Sequence, residues 1–316
     1  MNDIVESHVP FELSGQRVDV ALASMFPEYS RSQLTKWLKL ANISINAKTL
    51  SPKDKVWGGE KVVFIKPESF EQPLQHQAQN IPLDIIFEDD ELLVINKPAG
   101  FIVHPGAGNP DNTLLNALIH HNSSLASLPR AGIVHRLDRD TTGLLVIAKT
   151  AIAQTNLARQ MQEREITREY LTLVHGHVIA GDTIDTFYGR HNNNRLKMAV
   201  KSSGKKAITT YRVFKHYQTF TSLQVKLMTG RTHQIRVHME HINHPVVGDQ
   251  LYGKKVIIPK NSNDKLTSCL QQFKRQALHA ARLSFVHPVS TELLTFEAPM
   301  PEDFSYLLSL LDEHVE

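Results

Sequence analysis

Cysteine is nearly absent from this 316-residue sequence. The single cysteine, Cys269, excludes a disulfide within the chain and a zinc site built from several thiolates, and it suits a reducing compartment. No segment approaches the roughly 20 consecutive apolar residues that a membrane-spanning helix needs. We therefore expect a soluble, cytoplasmic protein.

Loops that bind common cofactors are also missing. The sequence has no Walker phosphate-binding loop and no Gly-x-Ser-x-Gly elbow of a hydrolase. The segment Gly106 to Gly108 lacks the third glycine and the later acidic residue of a dinucleotide-binding loop. The histidines between positions 233 and 244 lack the His-Glu-x-x-His spacing of a zinc site. We expect no cofactor and no metal.

The net charge is only +3, which is too small to indicate a nucleic-acid partner by itself. The basic residues are nevertheless clustered, because the segment from Thr186 to Tyr211 contains no Asp or Glu. Its basic side chains are Arg190, Arg195, Lys197, Lys201, Lys205 and Lys206. Such a segment is either an ordinary solvated hairpin or a finger that follows a phosphate backbone, and the pattern leaves both open.

Hydrophobic patterning predicts two domains. Residues 12–68 contain two amphipathic helices followed by short strands, residues 69–80 form a polar linker, and residues 81–316 alternate many strands with few helices. This pattern predicts an α+β fold with a mixed, largely antiparallel sheet and flanking helices. Residues 253–276 are expected to form a surface loop with one short helix at most.

One charged segment precedes a strand in the larger domain. Asp138 lies between Arg136 and Arg139, and a Thr-Thr-Gly turn leads from it to the apolar strand Leu144 to Ala148. We expect the arginines to hold the carboxylate ionised, so that it can act as a nucleophile or base. A surface turn with ordinary ion pairs is the alternative reading.

The segment His135-Arg136-Leu137-Asp138, followed by Thr-Thr-Gly-Leu, resembles the active-site signature of the RluA-type pseudouridine synthases. Segments 103–110, 230–238 and 276–280 resemble the same family in order and spacing, and the likeness extends from Ile81 to the last residue. It implies the pseudouridine synthase fold. It also implies an isomerase that breaks the base-to-sugar bond of uridine, turns the uracil and rejoins it through carbon five without a cofactor.

The resemblance also assigns roles to residues. Asp138 corresponds to the catalytic aspartate, and Arg231 to the arginine that pairs with it in the cleft. Tyr170 corresponds to a tyrosine that lies against the target base and takes part in proton transfer, and Ile235 to a residue that lines the pocket under the base. Hydrophobic patterning by itself is also consistent with Tyr170 and Ile235 as ordinary core residues.

The target uridine must leave the RNA stack, and a side chain should fill the space it vacates. The resemblance implies that Arg136 inserts into the RNA, where a guanidinium stacks well on bases. His135 either contacts the substrate or holds the backbone by a hydrogen bond.

The smaller domain resembles the S-four RNA-binding domain. The likeness rests on the helix that begins at Ser30-Arg31-Ser32, whose basic face carries Arg31, Lys36 and Lys39. Ala41 and Ala47 stand where that family often has glycine, and neither position lies on the basic helix.

The expected partner is bacterial 23S ribosomal RNA, free or within a large-subunit particle, at the hairpin loop that faces the decoding site. We expect a monomer. Two alternatives remain open from the sequence: a paralogous synthase for other 23S or transfer RNA uridines, and a non-catalytic ribosome-assembly factor that binds RNA.

Overall fold

A computed structural model describes residues 4–26, 29, 31–65, 77–106, 108–253 and 255–314. The chain divides into two units, Met1–Gln75 and His76–Glu316. The division falls within the segment expected to be a linker, most of which lies outside the described residues, as does Ser30 at the expected start of the second helix.

The first unit packs two helices against a three-stranded antiparallel sheet of order β1-β3-β2. Its elements are β1 (Ile4–His8), α1 (Val18–Met25), α2 (Arg31–Lys39), β2 (Ile43–Ile45) and β3 (Lys61–Ile65), with a 3-10 turn at Phe11–Leu13. The alternation in β3 buries Val62 and Phe64 against Leu22, Leu34 and Leu38 of the helices. β1 precedes the start at residue 12 that the pattern predicts.

The second unit is built on a ten-stranded sheet of order β4-β5-β6-β12-β7-β11-β10-β8-β9, with β13 paired to β12. The strands are β4 (Ile85–Glu88), β5 (Leu92–Lys97), β6 (Thr142–Ala148), β7 (Thr167–His175), β8 (Asp182–Arg190), β9 (Met198–Lys201), β10 (Lys205–His216), β11 (Phe220–Leu227), β12 (Leu278–Val286) and β13 (Leu293–Glu297). Among the described strands, β6 and β12 pair in parallel and the other neighbours pair antiparallel. The predicted mixed, largely antiparallel sheet is confirmed.

Helices flank this sheet. They are α3 (Leu114–His121), α4 (Ala151–Glu163), α5 (Gln234–His241), α6 (Asp264–Gln272) and α7 (Glu302–Glu313). The central strand β6 is buried over its whole length, with Leu145 and Ile147 in one apolar cluster and Leu144 and Val146 in another. A strand buried on both faces reads as a continuous apolar run, which is why the sequence shows no alternation here. Helix α6 lies within the segment 253–276.

A glycine allows β6 to begin close to β12. Gly143 has a φ of +109°, and a Cβ at this position would lie 2.2 Å from the carbonyl oxygen of Ala280. Because only glycine combines this conformation with this close approach, the chain can pass from the turn directly into β6.

Across the described part of the chain, no helix combines the length and apolar character needed to span a bilayer.

Candidate active site

Asp138 lies on the loop that leads into β6. Its carbonyl oxygen accepts a hydrogen bond from the backbone N–H of Thr141, at 3.1 Å, which closes a tight turn immediately before the strand. The side chain is 14% exposed and reaches two cavities of the cleft described below. A rigid central strand therefore places a partly accessible carboxylate at the end of the sheet.

Arg236, on the first turn of α5, is the cation that pairs with Asp138. Its Nη1 lies 3.0 Å from Oδ2 of Asp138, while its Nε and Nη2 donate to the two carboxylate oxygens of Asp249 at 2.6 and 2.9 Å. Asp249 also accepts the backbone N–H groups of Leu251 and Tyr252. The guanidinium is thus clamped from one side by a buried carboxylate and presented to Asp138 on the other.

Burial alone would raise the pKa of the Asp249 carboxyl. The hydrogen bonds and charge of Arg236, with the backbone donors, outweigh burial and lower the pKa of Asp249 below its ordinary value. Asp249 is therefore ionised at neutral pH, and it holds the orientation of Arg236.

The predicted pairing of Arg231 with Asp138 is wrong. Arg231 is exposed, its Nε donates to the carbonyl oxygen of Lys206 at 3.3 Å, and it forms no ion pair with Asp138. The reason is the turn before α5: His233 adopts a left-handed φ of 59°, and the side chain of Gln234 accepts the N–H of Arg231. This turn directs Arg231 to the rim of the cleft, whereas Arg236 lies on the buried face of the helix.

The neighbours of Asp138 in the sequence were also expected to hold it ionised. Arg136 and Arg139 are both exposed, and the Nε of Arg139 instead lies 4.0 Å from Oδ1 of Asp140. That part of the expectation is corrected, because the partner of Asp138 comes from a helix 98 positions later. Arg136 lines the cleft with its side chain in solvent.

Tyr170 and Ile235 face Asp138 across a small cavity of about 40 Å³. Tyr170 is on β7 and Ile235 on α5, and both also belong to the main apolar cluster of the unit. Burial raises the pKa of the Tyr170 hydroxyl, so it is protonated at neutral pH. Both residues therefore serve the core and also line the cavity.

His135 supports the loop from the side of the strand. The backbone N–H of Val146 donates to its Nε2 at 3.1 Å. Burial, with the nearby positive charge of Arg168, lowers the pKa of His135 to about 3, so the ring is neutral. With Nε2 as the acceptor, Nδ1 carries the proton, and it has no hydrogen-bond partner among the described residues.

Besides Arg236 and Asp249, His233 and Lys97 near Asp138 were not identified as site residues from the sequence. The Nε2 of His233 lies 3.9 Å from Oδ1 of Asp138, and its Nδ1 is 2.9 Å from the hydroxyl of Tyr252. Lys97, at the end of β5, is fully buried, and burial lowers its pKa to about 7. Its position in the sequence is a usable signal. Lys97 is the last residue of an apolar strand and is followed directly by the Pro-Ala-Gly turn, so it lies where the chain leaves the sheet.

Lys97 ties two loops together. Its Nζ donates to the carbonyl oxygens of Pro98, Phe101 and Arg139 at 2.7, 2.9 and 2.8 Å. Arg139 directly follows Asp138, so the ammonium group fixes the backbone of the aspartate loop against the loop after β5.

The cleft around Asp138 is large and strongly basic. It has a volume of about 750 Å³, and Asp138 is the one carboxylate among its described lining residues. The arginines that line it are Arg130, Arg136, Arg164, Arg168 and Arg231. A basic cleft with a single described carboxylate suits a polyanionic substrate.

In the first unit, the basic residues expected to contact RNA have different surroundings. Arg31 donates to Oδ2 of Asp19 at 2.8 Å, and Asp19 also pairs with Arg17. Lys36 and Lys39 are exposed on α2. Lys36 and Lys39 are therefore available to a partner, whereas the charge of Arg31 is partly used within the unit.

Comparison with known proteins identifies the family. A model of the RNA pseudouridylate synthase family matches residues 91–241. The chain is 49% identical over 308 residues to "Ribosomal large subunit pseudouridine synthase D" of Haemophilus influenzae, covering 97% of this chain and 94% of that protein. It is 50% identical over 298 residues to the protein of the same name from Escherichia coli K12, covering 94% of this chain and 91% of that protein.

A solved structure agrees with these matches. The human protein titled "Human RNA Pseudouridylate Synthase Domain Containing 1" is 28% identical, with a TM-score of 0.54 over 70% of this chain and 85% of that one. Together with the matches over nearly the full length, this shows that the chain belongs to the RNA pseudouridylate synthase family and is an RNA pseudouridine synthase, an isomerase.

Proposed function

We propose that the chain converts specific uridines of large-subunit ribosomal RNA into pseudouridine, with Asp138 as its catalytic residue. The observation that carries the proposal is the Asp138 carboxylate, which lines a basic cleft and pairs with an Arg236 that Asp249 holds in place. Relatives named for ribosomal large-subunit RNA match over more than nine-tenths of both chains, which favours the same RNA class over transfer RNA.

In this proposal, Asp138 either attacks the target nucleoside or assists departure of the uracil. Tyr170 lies against the base and takes part in proton transfer, and Ile235 forms the floor beneath the base. Arg136 is exposed at the mouth of the cleft, where its guanidinium fills the space that the flipped uridine leaves.

The finer parts of the proposal concern where the enzyme acts. Its target is the hairpin loop of 23S ribosomal RNA that faces the decoding site, and it acts as a monomer in the cytoplasm. The first unit, which contains the segment 12–68 expected from the sequence, serves as an S-four-like RNA-binding domain. Support comes from the exposed Lys36 and Lys39 on α2, with Arg31 at the start of the same helix.

The test is to map pseudouridines in ribosomal RNA from cells that lack the protein, complemented with wild type, Asp138→Asn or Asp140→Asn. Asp140 is the matched control, because its carboxylate is two positions away but does not line the cleft. We expect specific sites of 23S ribosomal RNA to vanish and to be restored by wild type and Asp140→Asn only.

The lost positions identify the substrate. Loss confined to transfer RNA would contradict the target, and restoration by Asp138→Asn would contradict the catalytic role and favour a binding factor. Purified Asp138→Asn should still bind the RNA, because the substitution changes one group at the reacting centre and leaves the arginines of the cleft in place.

The RNA-binding role of the first unit has a separate test. Lys36→Gln with Lys39→Gln should weaken RNA binding and reduce the salt dependence of the affinity, because two phosphate contacts are lost. Lys48→Gln with Lys53→Gln removes two exposed charges of the same unit away from α2 and is the control. Equal losses in both double variants would argue against α2 as the contact surface.

A further inference from the structure

Arg168 lines the cleft as a buried cation without an ion-pair partner among the described residues. Its side chain belongs to a residue that is only 8% exposed, and its Nε is buried without a hydrogen-bond acceptor. No described carboxylate lies within ion-pair distance of Arg168. By contrast, the buried Arg236 pairs with two carboxylates, those of Asp138 and Asp249. A buried charge left unpaired is costly unless a ligand completes its surroundings.

The strand places Arg168 beside the target base. Side chains two residues apart on a strand share one face and lie about 7 Å apart, so Arg168 and Tyr170 both line the basic cleft. Tyr170 and Asp138 mark the place of the reacting nucleoside. A ligand group that contacts Arg168 therefore lies about 7 Å from the uracil beside Tyr170. A backbone phosphate next to the target uridine lies at about this distance from its base, whereas a phosphate elsewhere in the RNA need not.

A glycine leaves room for the guanidinium. A Cβ at Gly230 would lie only 2.6 Å from Nη1 of Arg168, so any larger residue would push the guanidinium from its place. The backbone of the loop after β11 thus packs directly on the fork of Arg168. This contact orients a planar donor group that matches phosphate oxygens well.

A second donor without a partner among the described residues belongs to a residue that lines the same cleft. The protonated Nδ1 of His135 has no acceptor among the described residues, and the ring is close enough to Arg168 for the two to interact electrostatically. Buried donors are nearly always satisfied in folded proteins. Both residues line the cleft, whose one described carboxylate, Asp138, pairs with Arg236 instead, so an acceptor for the guanidinium of Arg168 would have to come from a ligand.

We propose that the guanidinium of Arg168, held beside His135 on the cleft, forms an anion-binding subsite for the phosphodiester directly adjacent to the target uridine. This inference rests on the proposed RNA-modifying function and names the part of the RNA that the wall contacts. The subsite fixes the nucleotide backbone while the base turns within the cavity beside Asp138. Arg168 is therefore a substrate-binding residue and takes no part in the bond changes.

The test uses a synthetic oligoribonucleotide covering whichever RNA segment loses pseudouridine in cells without the protein, so it does not depend on the RNA class. The linkage on the 5′ or the 3′ side of the target uridine is replaced by an uncharged methylphosphonate. We expect wild type to lose about tenfold to a hundredfold in affinity for one of these two oligonucleotides, as for a charged hydrogen bond.

Arg168→Met should lose a similar factor with the unmodified RNA, but nothing further with the sensitive methylphosphonate, because the two changes remove the same contact. Gly230→Ala keeps the charge and displaces the guanidinium, so it should reproduce the insensitivity. Arg164→Met is the control, because Arg164 is an exposed arginine of the same cleft. Its loss should add to that of either methylphosphonate.

Two results would overturn the subsite. One is additivity of Arg168→Met with both methylphosphonates, which would show that Arg168 contacts neither linkage. The other is a changed pH profile of kcat with unchanged KM in Arg168→Met. This result would mean that Arg168 acts only through its charge on the Tyr170 hydroxyl and does not contact the RNA. Circular dichroism of each variant confirms that it is folded. Failure of the ribosomal target would appear in the pseudouridine map alone and leave these binding results intact.

Discussion

Substitution of Arg236 separates the structural from the catalytic importance of the ion pairs at the candidate active site. Arg236→Met keeps the length of the side chain but removes the cation between Asp138 and Asp249. The side chain of Asp249 has 0% exposure, so it would be left as a buried, unpaired carboxylate. Breaking such a pair from one side costs about 3–5 kcal/mol.

The lower part of that range is expected, because Asp249 keeps the backbone N–H groups of Leu251 and Tyr252 as donors. With a slope of about 2 kcal/mol/M, a loss of about 3 kcal/mol lowers the urea midpoint of the second unit by about 1.5 M. Conversion of uridine should be lost, because Asp138 then lacks the cation that positions its carboxylate.

The double variant Arg236→Met with Asp249→Asn removes the unpaired charge as well. It should recover much of the stability but none of the activity, which distinguishes a catalytic loss from simple unfolding. Arg231→Met is the matched control from the same segment. Since Arg231 is exposed, its loss should change the unfolding free energy by less than about 0.5 kcal/mol.

The assays are urea denaturation and conversion of uridine in a target RNA, measured at a temperature where all variants are folded. If Arg231→Met abolished conversion while Arg236→Met converted normally, the assignment of Arg236 as the partner of Asp138 would be refuted. Full activity in the double variant would refute it equally.

Three further predictions follow from buried groups near the site. Lys97→Met removes the donor for three carbonyl oxygens and should lower the unfolding free energy by about 2–3 kcal/mol in thermal or urea denaturation, with reduced kcat because the aspartate loop loosens. Gly143→Ala would bring a Cβ to 2.2 Å from the carbonyl oxygen of Ala280 and should lower the unfolding free energy by about 3 kcal/mol or more. Gly100→Ala is the control, because a Cβ there meets open space and should lower it by only about 1 kcal/mol. Equal losses in the two variants would contradict the close approach at Gly143. Because the pKa of Asp249 is lowered in the folded chain, its contribution to stability is present above about pH 4 and lost as the pH falls further, so unfolding free energies at pH 7 and pH 3 should differ less in Asp249→Asn than in wild type.

Much of the larger unit was predictable because its strands carry strong local signals. The apolar run of β6 and the Thr-Thr-Gly turn before it place Asp138 on a loop at the end of a buried strand, as the structure shows. Hydrophobic alternation and strand count also predicted the mixed sheet. These features depend on contacts within a few residues or on burial of one face, both of which the sequence encodes directly.

Buried charges were the main residues that sequence reasoning missed. Lys97 and Arg168 look like surface residues by type, since lysine and arginine are rarely buried. A signal for Arg168 existed: in a strand, it shares the face of Tyr170 two residues later. No comparable local signal shows that its guanidinium lacks a partner, because that depends on which distant loops surround it.

The sequence alone determined the fold class, the aspartate loop and the family likeness, because each depends on short motifs and on local hydrophobic patterns. Tertiary structure alone decided which arginine serves Asp138. Arg231 and Arg236 lie in one short motif, and the left-handed turn at His233 directs the first to solvent and the second inward. Asp249 then fixes Arg236 from a third segment. The choice between the two arginines depends on which side chain meets Asp138, a residue 98 positions from Arg236. No local pattern in the sequence specifies such a distant contact.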